Sequence, residues 1–348
     1  MINLRDLQLH ELEKLMSDIG QPKFRARQIF KWVQKGAKDF SEMTNIPKGL
    51  RDSLAQIACI GRLKALDIQE SRTDGTRKYL FELADGLTIE SVFMKYKYGN
   101  SICVSSQAGC RMGCRFCAST RNGLERNLTP GEIISQVMEA EADTGEKIGH
   151  IVVMGTGEPF DNYDNLSGFL KLVNHKDGMG IGMRNITVST CGLVPEIGRF
   201  GEDFPQVNLA VSLHGTADEI RDAMMPINRK YPLEILLSAC KIYTIKTGRR
   251  ITFEYTLVNG VNDDDDDAER LCRLLRGMLC HVNLIPLNKV AESGFDTVSR
   301  KRAGEFQQIL EKRSIPATVR RELGSDIDAA CGQLRLSRQK KSDILETD

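Results

Sequence analysis

Three of the ten cysteines in this 348-residue chain stand within one short segment, at Cys110, Cys114 and Cys117, in a C-x3-C-x2-C spacing. Three thiolates this close can ligate three irons of a [4Fe–4S] cube from a single loop, which leaves the fourth iron without a protein ligand. Such an iron can chelate S-adenosylmethionine, and an electron from the cluster can cleave its sulfonium bond. Gly109 and Gly113 allow the backbone bends that this loop needs. Structural zinc is the alternative, but it takes four ligands, and no fourth ligand stands nearby in pattern.

The composition indicates the compartment in which these cysteines work. The chain is 41% hydrophobic and has a formal net charge of +1. It has no apolar stretch near Met1 that resembles a signal peptide, and no apolar run of about 18 residues that would predict a membrane span. We therefore expect a cytoplasmic protein, in which a tight cysteine cluster indicates metal or redox chemistry rather than disulfides.

The elements that must position the cysteine loop follow from the apolar pattern. Over residues 1–60, apolar residues recur at helical spacing, as at Leu9, Leu12 and Met16, which predicts a small helical domain. Over residues 61–100, strand-like segments alternate with the turn signals Asp74-Gly75 and Asp85-Gly86. The second region is therefore predicted to be a β-hairpin extension that links the helices to the rest of the chain.

Short apolar strands alternate with helical segments over residues 101–336. The strand-like segments include IGHIVVMG, NITVST, VNLAVSLH, ITFEYTLV and HVNLIPL. Such alternation predicts a parallel sheet, and about six units predict a barrel or partial barrel with its chemistry at the carboxyl ends of the strands. The predicted fold class is α/β: a partial (β/α)6 barrel, with the helical accessory domain and the hairpin extension before it and a polar tail over residues 337–348.

Several motifs give the chain a family resemblance. The cysteine spacing, with the aromatic Phe116 before the third cysteine, resembles the signature of the radical-SAM superfamily. The segments CVSSQAGCRMGCRFCAS, GTGEP, SLHG and DIDAACGQL, in this order, resemble the RlmN/Cfr family of RNA adenine methyltransferases over almost the whole chain. The resemblance implies a radical-SAM barrel, one [4Fe–4S] cluster held by Cys110, Cys114 and Cys117, and two molecules of S-adenosylmethionine consumed per methylation.

Glycines and polar residues stand where several predicted strands end. At one end, Gly157 allows close backbone approach, and Glu158 can accept hydrogen bonds from the ammonium of the methionyl group. Since the strand ends of a barrel meet at one mouth, their recurrence predicts a single pocket. The resemblance implies that S-adenosylmethionine is bound there by Gly157, Glu158, Ser189, Ser212, Leu213, His214 and Asn288.

Three further residues match family positions with catalytic roles: Cys103, Cys331 and Glu90. The resemblance implies that Cys331 takes a methyl group, that the S-methyl group becomes a carbon radical, and that this carbon adds to carbon 2 of an adenine. A transient protein–RNA crosslink is then released when Cys103 attacks Cys331, which leaves a disulfide. Glu90 matches the family's proton acceptor. The sequence leaves open whether Glu90 or Cys103 takes the proton, and strand alternation would also allow Glu90 to face solvent.

Local surpluses of basic residues suit an anionic ligand, although solvated surface is the alternative reading of charge alone. The basic residues near the cysteine loop and before Cys331 are Lys95, Lys97, Arg111, Arg115, Arg121, Arg126, Arg320 and Arg321. The resemblance implies two RNA substrates, namely 23S rRNA in the peptidyl-transferase region and tRNA beside the anticodon. It also implies an electron donor such as flavodoxin or ferredoxin, and a monomer.

Three alternatives compete with a carbon-2 methyltransferase. A Cfr-type member of the same family would modify carbon 8. A radical-SAM enzyme with another substrate would have no obvious use for the pair Cys103 and Cys331. A zinc-stabilised RNA-binding protein would need no catalysis at all.

Overall fold

Three helices begin the chain, in the region where apolar residues recur at helical spacing. They are α1 (Leu9–Asp18), α2 (Phe24–Gln34) and α3 (Lys48–Ile57). The structure is a computed structural model that describes residues 1–287, 294–324 and 326–327. Leu12, Met16 and Leu54 are buried, as their spacing predicts. A short parallel pair, β1 (Ile2–Asn3) with β2 (Ala58–Cys59), joins the two ends of this region.

The remaining strands and helices follow the predicted order. The strands are β3 (Lys64–Glu70), β4 (Arg77–Glu82), β5 (Thr88–Tyr96), β6 (Gly99–Cys103), β7 (Gln107–Gly109), β8 (Leu124–Asn127), β9 (His150–Val153), β10 (Ile186–Thr190), β11 (Asn208–Ser212), β12 (Ile251–Leu257), β13 (Cys280–Pro286) and β14 (Ala317–Val319). The helices are α4 (Pro130–Thr144), α5 (Tyr163–Asn174), α6 (Val194–Asp203), α7 (Asp218–Met224), α8 (Leu233–Thr247), α9 (Asp265–Leu275) and α10 (Arg300–Lys312). Among the helices of the described ranges, none is long and apolar enough to cross a membrane.

Ten strands form one sheet in the order β14-β13-β12-β11-β10-β9-β6-β5-β4-β3. The strands from β6 through β9 to β14 are parallel, and β3, β4, β5 and β6 pair antiparallel. Helices follow β6 and each of the strands β9 to β13, so six β/α units precede β14. The predicted partial (β/α)6 barrel with a β-hairpin extension is thus confirmed. In the described part of the chain β14 and β3 do not pair, and the barrel is not closed by strand hydrogen bonds.

The two faces of this sheet differ in chemistry because strand residues alternate in direction. Val188, Phe253 and Val282 are fully buried in the main core with the helices. Glu254 follows Phe253 on β12, and its register partner on β11 is Ser212. Both residues point to the opposite side of the sheet, which we call the inner face. The inner face is therefore the polar side of the sheet, on which a cofactor and a substrate can be held.

Hydrogen bonds connect the chain that leaves β14 to the turn between β3 and β4, at the opposite edge of the sheet. The Asp326 carboxylate accepts hydrogen bonds from Ser71 Oγ at 2.6 Å and from Arg72 N at 2.9 Å. In return, Gly324 N donates to Asp74 Oδ2 at 2.9 Å. Partial burial opposes ionisation of Asp74. The hydrogen bonds that its carboxylate accepts outweigh this effect and lower its pKa to about 2, and the bond from Gly324 contributes most among them. We call these contacts the edge bridge.

Candidate active site

The cysteine loop is held between two short strands. Strands β7 and β8 pair antiparallel on either side of it, and Cys110 N donates to Gly123 O at 2.8 Å. Gly109 has a φ of 76°, and a Cβ on it would lie 2.1 Å from Gly123 O, so no other residue fits there. Gly113 also has a positive φ, of 73°. The prediction that both glycines make the bends of the loop is confirmed.

The thiols of this loop fit a bound iron–sulfur cluster. Cys110 and Cys114 are buried, and burial, with a further contribution from the charge of Cys117, raises the pKa of Cys110 to about 12. Burial, with the charges of Cys117 and Cys110, also raises the pKa of Cys114. Crowded buried thiolates are stable only when a metal centre compensates their charge. Thr120 Oγ1 fixes the loop by donating to the carbonyl oxygens of Cys114 and Cys117.

The segment after β9 contains Gly157 and Glu158 and is packed tightly against the chain leading to the cysteine loop. Gly157 has a φ of 110°, and a Cβ there would lie 2.6 Å from Gln107 Cβ. The close approach that Gly157 permits is therefore to the protein's own strand β7, and its contact with S-adenosylmethionine stays a prediction. This packing places the end of β9 directly beside the cluster loop.

Glu158 is fully buried, and its two carboxylate oxygens each accept one backbone hydrogen bond. Phe160 N donates to Oε1 at 3.0 Å, and Cys191 N, just past the end of β10, donates to Oε2 at 2.7 Å. Burial raises the pKa of Glu158, and these bonds oppose the rise. A carboxylate has about four acceptor positions, so capacity for a ligand ammonium remains. Glu158 thus ties the ends of two neighbouring strands together, and its contact with S-adenosylmethionine stays a prediction.

His214 connects the end of β11 to the cluster loop. Its ring lies edge-on to that of Phe116, with 4.9 Å between the ring centroids. Nδ1 accepts a hydrogen bond from Thr256 N at 2.9 Å, which leaves Nε2 as the protonated nitrogen. Burial, with the nearby Arg221 charge, lowers the pKa of His214 to about 3, so the ring is neutral. Its φ of 55° is a left-handed conformation that non-glycine residues seldom adopt.

The remaining predicted pocket residues lie at the same strand ends. Ser189 and Ser212 are half-buried near the ends of β10 and β11, whereas Leu213 is fully buried. Arg221, which sequence reasoning missed, is completely buried and joins these ends: its guanidinium donates to Cys191 O at 2.7 Å and to Leu213 O at 3.2 Å. A lone arginine in a short helix gives no signal in the sequence that distinguishes this role from a solvated surface charge.

Glu90 and Cys103 lie together on the inner face of the extension. Glu90 is only 4% exposed, so the alternative that it faces solvent is wrong. Cys103 packs against Val92 and Met94, and Val92 is its register partner on β5. A second residue that sequence reasoning missed, Lys78, places its Nζ 3.0 Å from Glu90 Oε2. Asn288 and Cys331 lie outside the described residues.

Three of the basic residues named near the loop are engaged with acidic side chains. Arg111 pairs with Asp161, and Arg126 contacts Glu132 at 2.8 Å. Lys95 pairs with Glu146 in the same way. These cations are therefore held in place by salt bridges, and a phosphate would meet a network of paired charges.

This fold, with a three-cysteine loop beside the strand ends of a partial barrel, is that of a radical-SAM enzyme. The family model for the radical SAM superfamily matches residues 104–272, and that for the ribosomal RNA large subunit methyltransferase N-terminal domain matches residues 2–60. A crystal structure of a radical SAM methyltransferase from Sphaerobacter thermophilus superposes with a TM-score of 0.91 at 47% identity, covering 96% of this chain and 99% of that one.

Curated relatives define the family. The chain is 53% identical over 345 residues to the probable dual-specificity RNA methyltransferase RlmN of Clostridium perfringens (strain SM101 / Type A), covering 99% of each chain. It is 52% identical to the protein of the same description from Thermoanaerobacter sp. (strain X514), covering 96% of this chain and 98% of the relative. The chain belongs to the RlmN family. It is a radical-SAM RNA methyltransferase that uses a [4Fe–4S] cluster and S-adenosylmethionine.

Proposed function

We propose that the enzyme methylates carbon 2 of an adenine in two RNAs, 23S rRNA in the peptidyl-transferase region and tRNA beside the anticodon. The observation that carries the proposal is the placement of Glu90 and Cys103 on one inner face, in a chain that also has Cys331. An acceptor for a proton and a second thiol are what methylation through a protein thioether requires. The relatives from Clostridium perfringens and Thermoanaerobacter, described as dual-specificity enzymes, support the pair of substrates.

Cys331 carries the methyl group in this proposal. Its sulfur takes a methyl from one S-adenosylmethionine, with loss of the thiol proton. Cys110, Cys114 and Cys117 would hold the cluster, which would supply the electron for cleavage of a second S-adenosylmethionine to an adenosyl radical. The S-methyl group of Cys331 gives up a hydrogen atom to that radical, and its carbon then adds to carbon 2 of adenine. Loss of the carbon-2 proton to a protein base, together with return of one electron to the oxidised cluster, would leave a thioether that joins protein and RNA.

Cys103 completes the cycle. Its thiolate attacks the sulfur of Cys331, the bond between that sulfur and the methylene carbon breaks, and the carbon takes up a proton to become the methyl group of the product. Cys103 and Cys331 remain as a disulfide, which a thiol reductant must reduce before the next turnover. Glu90 is assigned as the acceptor of the carbon-2 proton, because its carboxylate lies on the same face as Cys103.

The RNA must present an unstacked adenine, because carbon 2 of a stacked base cannot reach a buried thiol. We assign residues 1–60 as the RNA-binding accessory domain, since the N-terminal family model belongs to ribosomal RNA methyltransferases. Flavodoxin or ferredoxin is the proposed electron donor, and the enzyme is proposed to act as a cytoplasmic monomer.

Mass spectrometry of digested 23S rRNA and tRNA tests the proposal. Both RNAs are isolated from cells that lack the enzyme, incubated with cluster-loaded protein, and digested to nucleosides. We expect 2-methyladenosine in both. 8-Methyladenosine in its place would assign the enzyme to the Cfr type, and product in only one RNA would remove dual specificity.

A further inference from the structure

A lysine and a glutamate form an ion pair inside the extension. Lys78 is 0% exposed, Glu90 is 4% exposed, and Nζ lies 3.0 Å from Oε2. Lysine is almost never fully buried unless it is paired, and removal of two charges from water is costly. Replacing such a pair with apolar residues is often neutral or stabilising, so stability alone does not explain its presence.

The pair lies in the same patch of the inner face as Cys103. Lys78 on β4 is the register partner of Val92 on β5, and Val92 is in turn the partner of Cys103 on β6. Glu90 stands two residues before Val92 and therefore points to the same face. Neighbouring strands are about 4.8 Å apart, so Lys78 and Cys103 flank the strand that carries Glu90.

The backbone of Glu90 is fixed to the cofactor side of the barrel. Ser105 Oγ donates to Glu90 O at 2.7 Å, and Thr156 N donates to the same Ser105 Oγ at 2.9 Å. Thr156 directly precedes Gly157 in the segment after β9. This chain of hydrogen bonds holds the main chain of Glu90, while the ion pair with Lys78 holds its carboxylate.

We propose that Lys78 is a positioning residue that pairs with Glu90 and orients its carboxylate to accept the carbon-2 proton of adenine. The inference rests on the proposed role of Glu90. A buried carboxylate without a partner tends to take up a proton from solvent, because burial penalises its charge, and it could then accept no other. With the ammonium in place, the proton can pass from carbon 2 to a carboxylate oxygen while the electron pair of the C–H bond stays with the adenine ring.

The test compares Lys78→Met with Glu90→Gln. Lys64→Met is the matched control, because Lys64 pairs with Glu82 in the same hairpin but is exposed. The readout is the coupling ratio, the methyladenosine formed per 5′-deoxyadenosine released. We expect both test variants to lower the coupling ratio by about 100-fold, the scale of a lost general base. Methylation of Cys331 and release of 5′-deoxyadenosine should stay within about twofold of wild type.

A pH series separates the electrostatic role from a packing role. Loss of a nearby positive charge disfavours the charged form of a buried carboxylate, so the coupling ratio of Lys78→Met should recover as the pH is raised. Glu90→Gln has no carboxylate and should not recover. Among the described residues, strand register places Asp67 on β3, Lys64 with Glu82 at the far end of β3 and β4, Cys103 on β6 and Tyr96 at the end of β5 on this face. Arg320 and Arg321 act electrostatically on Tyr96. Because they are the same in both variants, a difference between the two pH series reports on Glu90.

Defined outcomes overturn the inference. A Lys78→Met enzyme with wild-type coupling, or with low coupling that pH does not restore, removes the positioning role. Normal coupling in Glu90→Gln would instead disprove the proposed role of Glu90, whatever Lys78→Met does. The double variant Lys78→Met/Glu90→Gln should regain any melting temperature lost in Lys78→Met, with coupling as low as in Glu90→Gln. If the double variant recovered both the melting temperature and the coupling ratio, the ion pair of Lys78 and Glu90 would serve folding alone.

Discussion

The parallel part of the sheet, β9 to β14, and the antiparallel extension, β3 to β5, place their polar residues in different ways. In the parallel part, the candidate site residues stand at strand ends and are neutral or satisfied by backbone groups, as His214 and Glu158 are. In the extension, a full ion pair, Lys78 with Glu90, stands within buried strands. The first arrangement suits the binding of a cofactor that has its own charges, and the second suits proton and sulfur chemistry.

The largest expected effect tests the parallel side. Cys114→Ala should lose the visible absorbance of the reconstituted cluster and lower 5′-deoxyadenosine release by roughly 1,000-fold or more, because an iron ligand is missing. Cys272→Ala on α9 is the control, since this thiol lies in the apolar core. Wild-type release of 5′-deoxyadenosine by the Cys114 variant would refute the cluster assignment.

Next in size is the effect of Cys103→Ala, on the side of the extension. Product should fall at least about 100-fold while 5′-deoxyadenosine is still formed, because only the resolving thiol is lost. The protein should accumulate covalently attached to RNA, seen as a shifted band in denaturing gels. Cys331→Ala should give neither product nor adduct. If the Cys103 variant formed no adduct with RNA, Cys103 would not be the thiol that releases the crosslink, and the proposed role of the extension would be wrong.

A smaller effect is expected from His214→Asn. Asparagine tolerates the left-handed φ and can keep an acceptor near Thr256 N. The folded pKa of about 3 lies below the usual 6.5, so wild type loses stability as the pH falls from 6.5 toward 3. The slope from this group is about 1.4 kcal/mol per pH unit. Denaturant unfolding of the variant should show a flatter profile over this range, and an equally steep profile would mean that His214 is not held neutral.

The smallest effect is expected at the mouth of the barrel. Arg320 and Arg321 follow β14, and both act electrostatically on Tyr96 of the extension. Arg320→Gln/Arg321→Gln should weaken RNA binding severalfold and lower the slope of log affinity against log salt by about 1.4, at about 0.7 per phosphate contact. Filter binding at several salt concentrations measures this slope. An unchanged slope would place both charges away from the RNA.

Much of the fold follows from periodicity. Alternation in the strand segments and helical spacing in residues 1–60 correctly predicted the order of strands and helices. Strands β7 and β8 were not predicted, because their short sequences, QAG and LERN, contain only one large apolar side chain. Helix α7 was missed for a similar reason, since it has seven residues and several charges.

The candidate site was harder to predict where burial depends on distant partners. Gly109 and Gly113 could be identified because the spacing of three cysteines demands bends. Lys78 could not, because a lysine in an alternating strand normally faces water. Its burial is decided by a carboxylate on the next strand, and Arg221 is likewise buried because it meets carbonyl oxygens that only the folded chain brings together.

The edge bridge connects the two edges of the sheet, β14 and β3, without a backbone ladder. Elsewhere, neighbouring strands are joined by continuous backbone ladders, but at this line Ser71, Asp74 and Asp326 make the connection with a few hydrogen bonds. Each such bond contributes about 1 kcal/mol net, so the hydrogen bonds of the edge bridge together contribute a few kcal/mol, and their loss leaves every β-ladder intact. Because the pKa of Asp74 is about 2, its carboxylate stays ionised near neutral pH and keeps the hydrogen bonds of the edge bridge. The edge strands β14 and β3 of the partial barrel can therefore move apart at this line without the loss of a β-ladder.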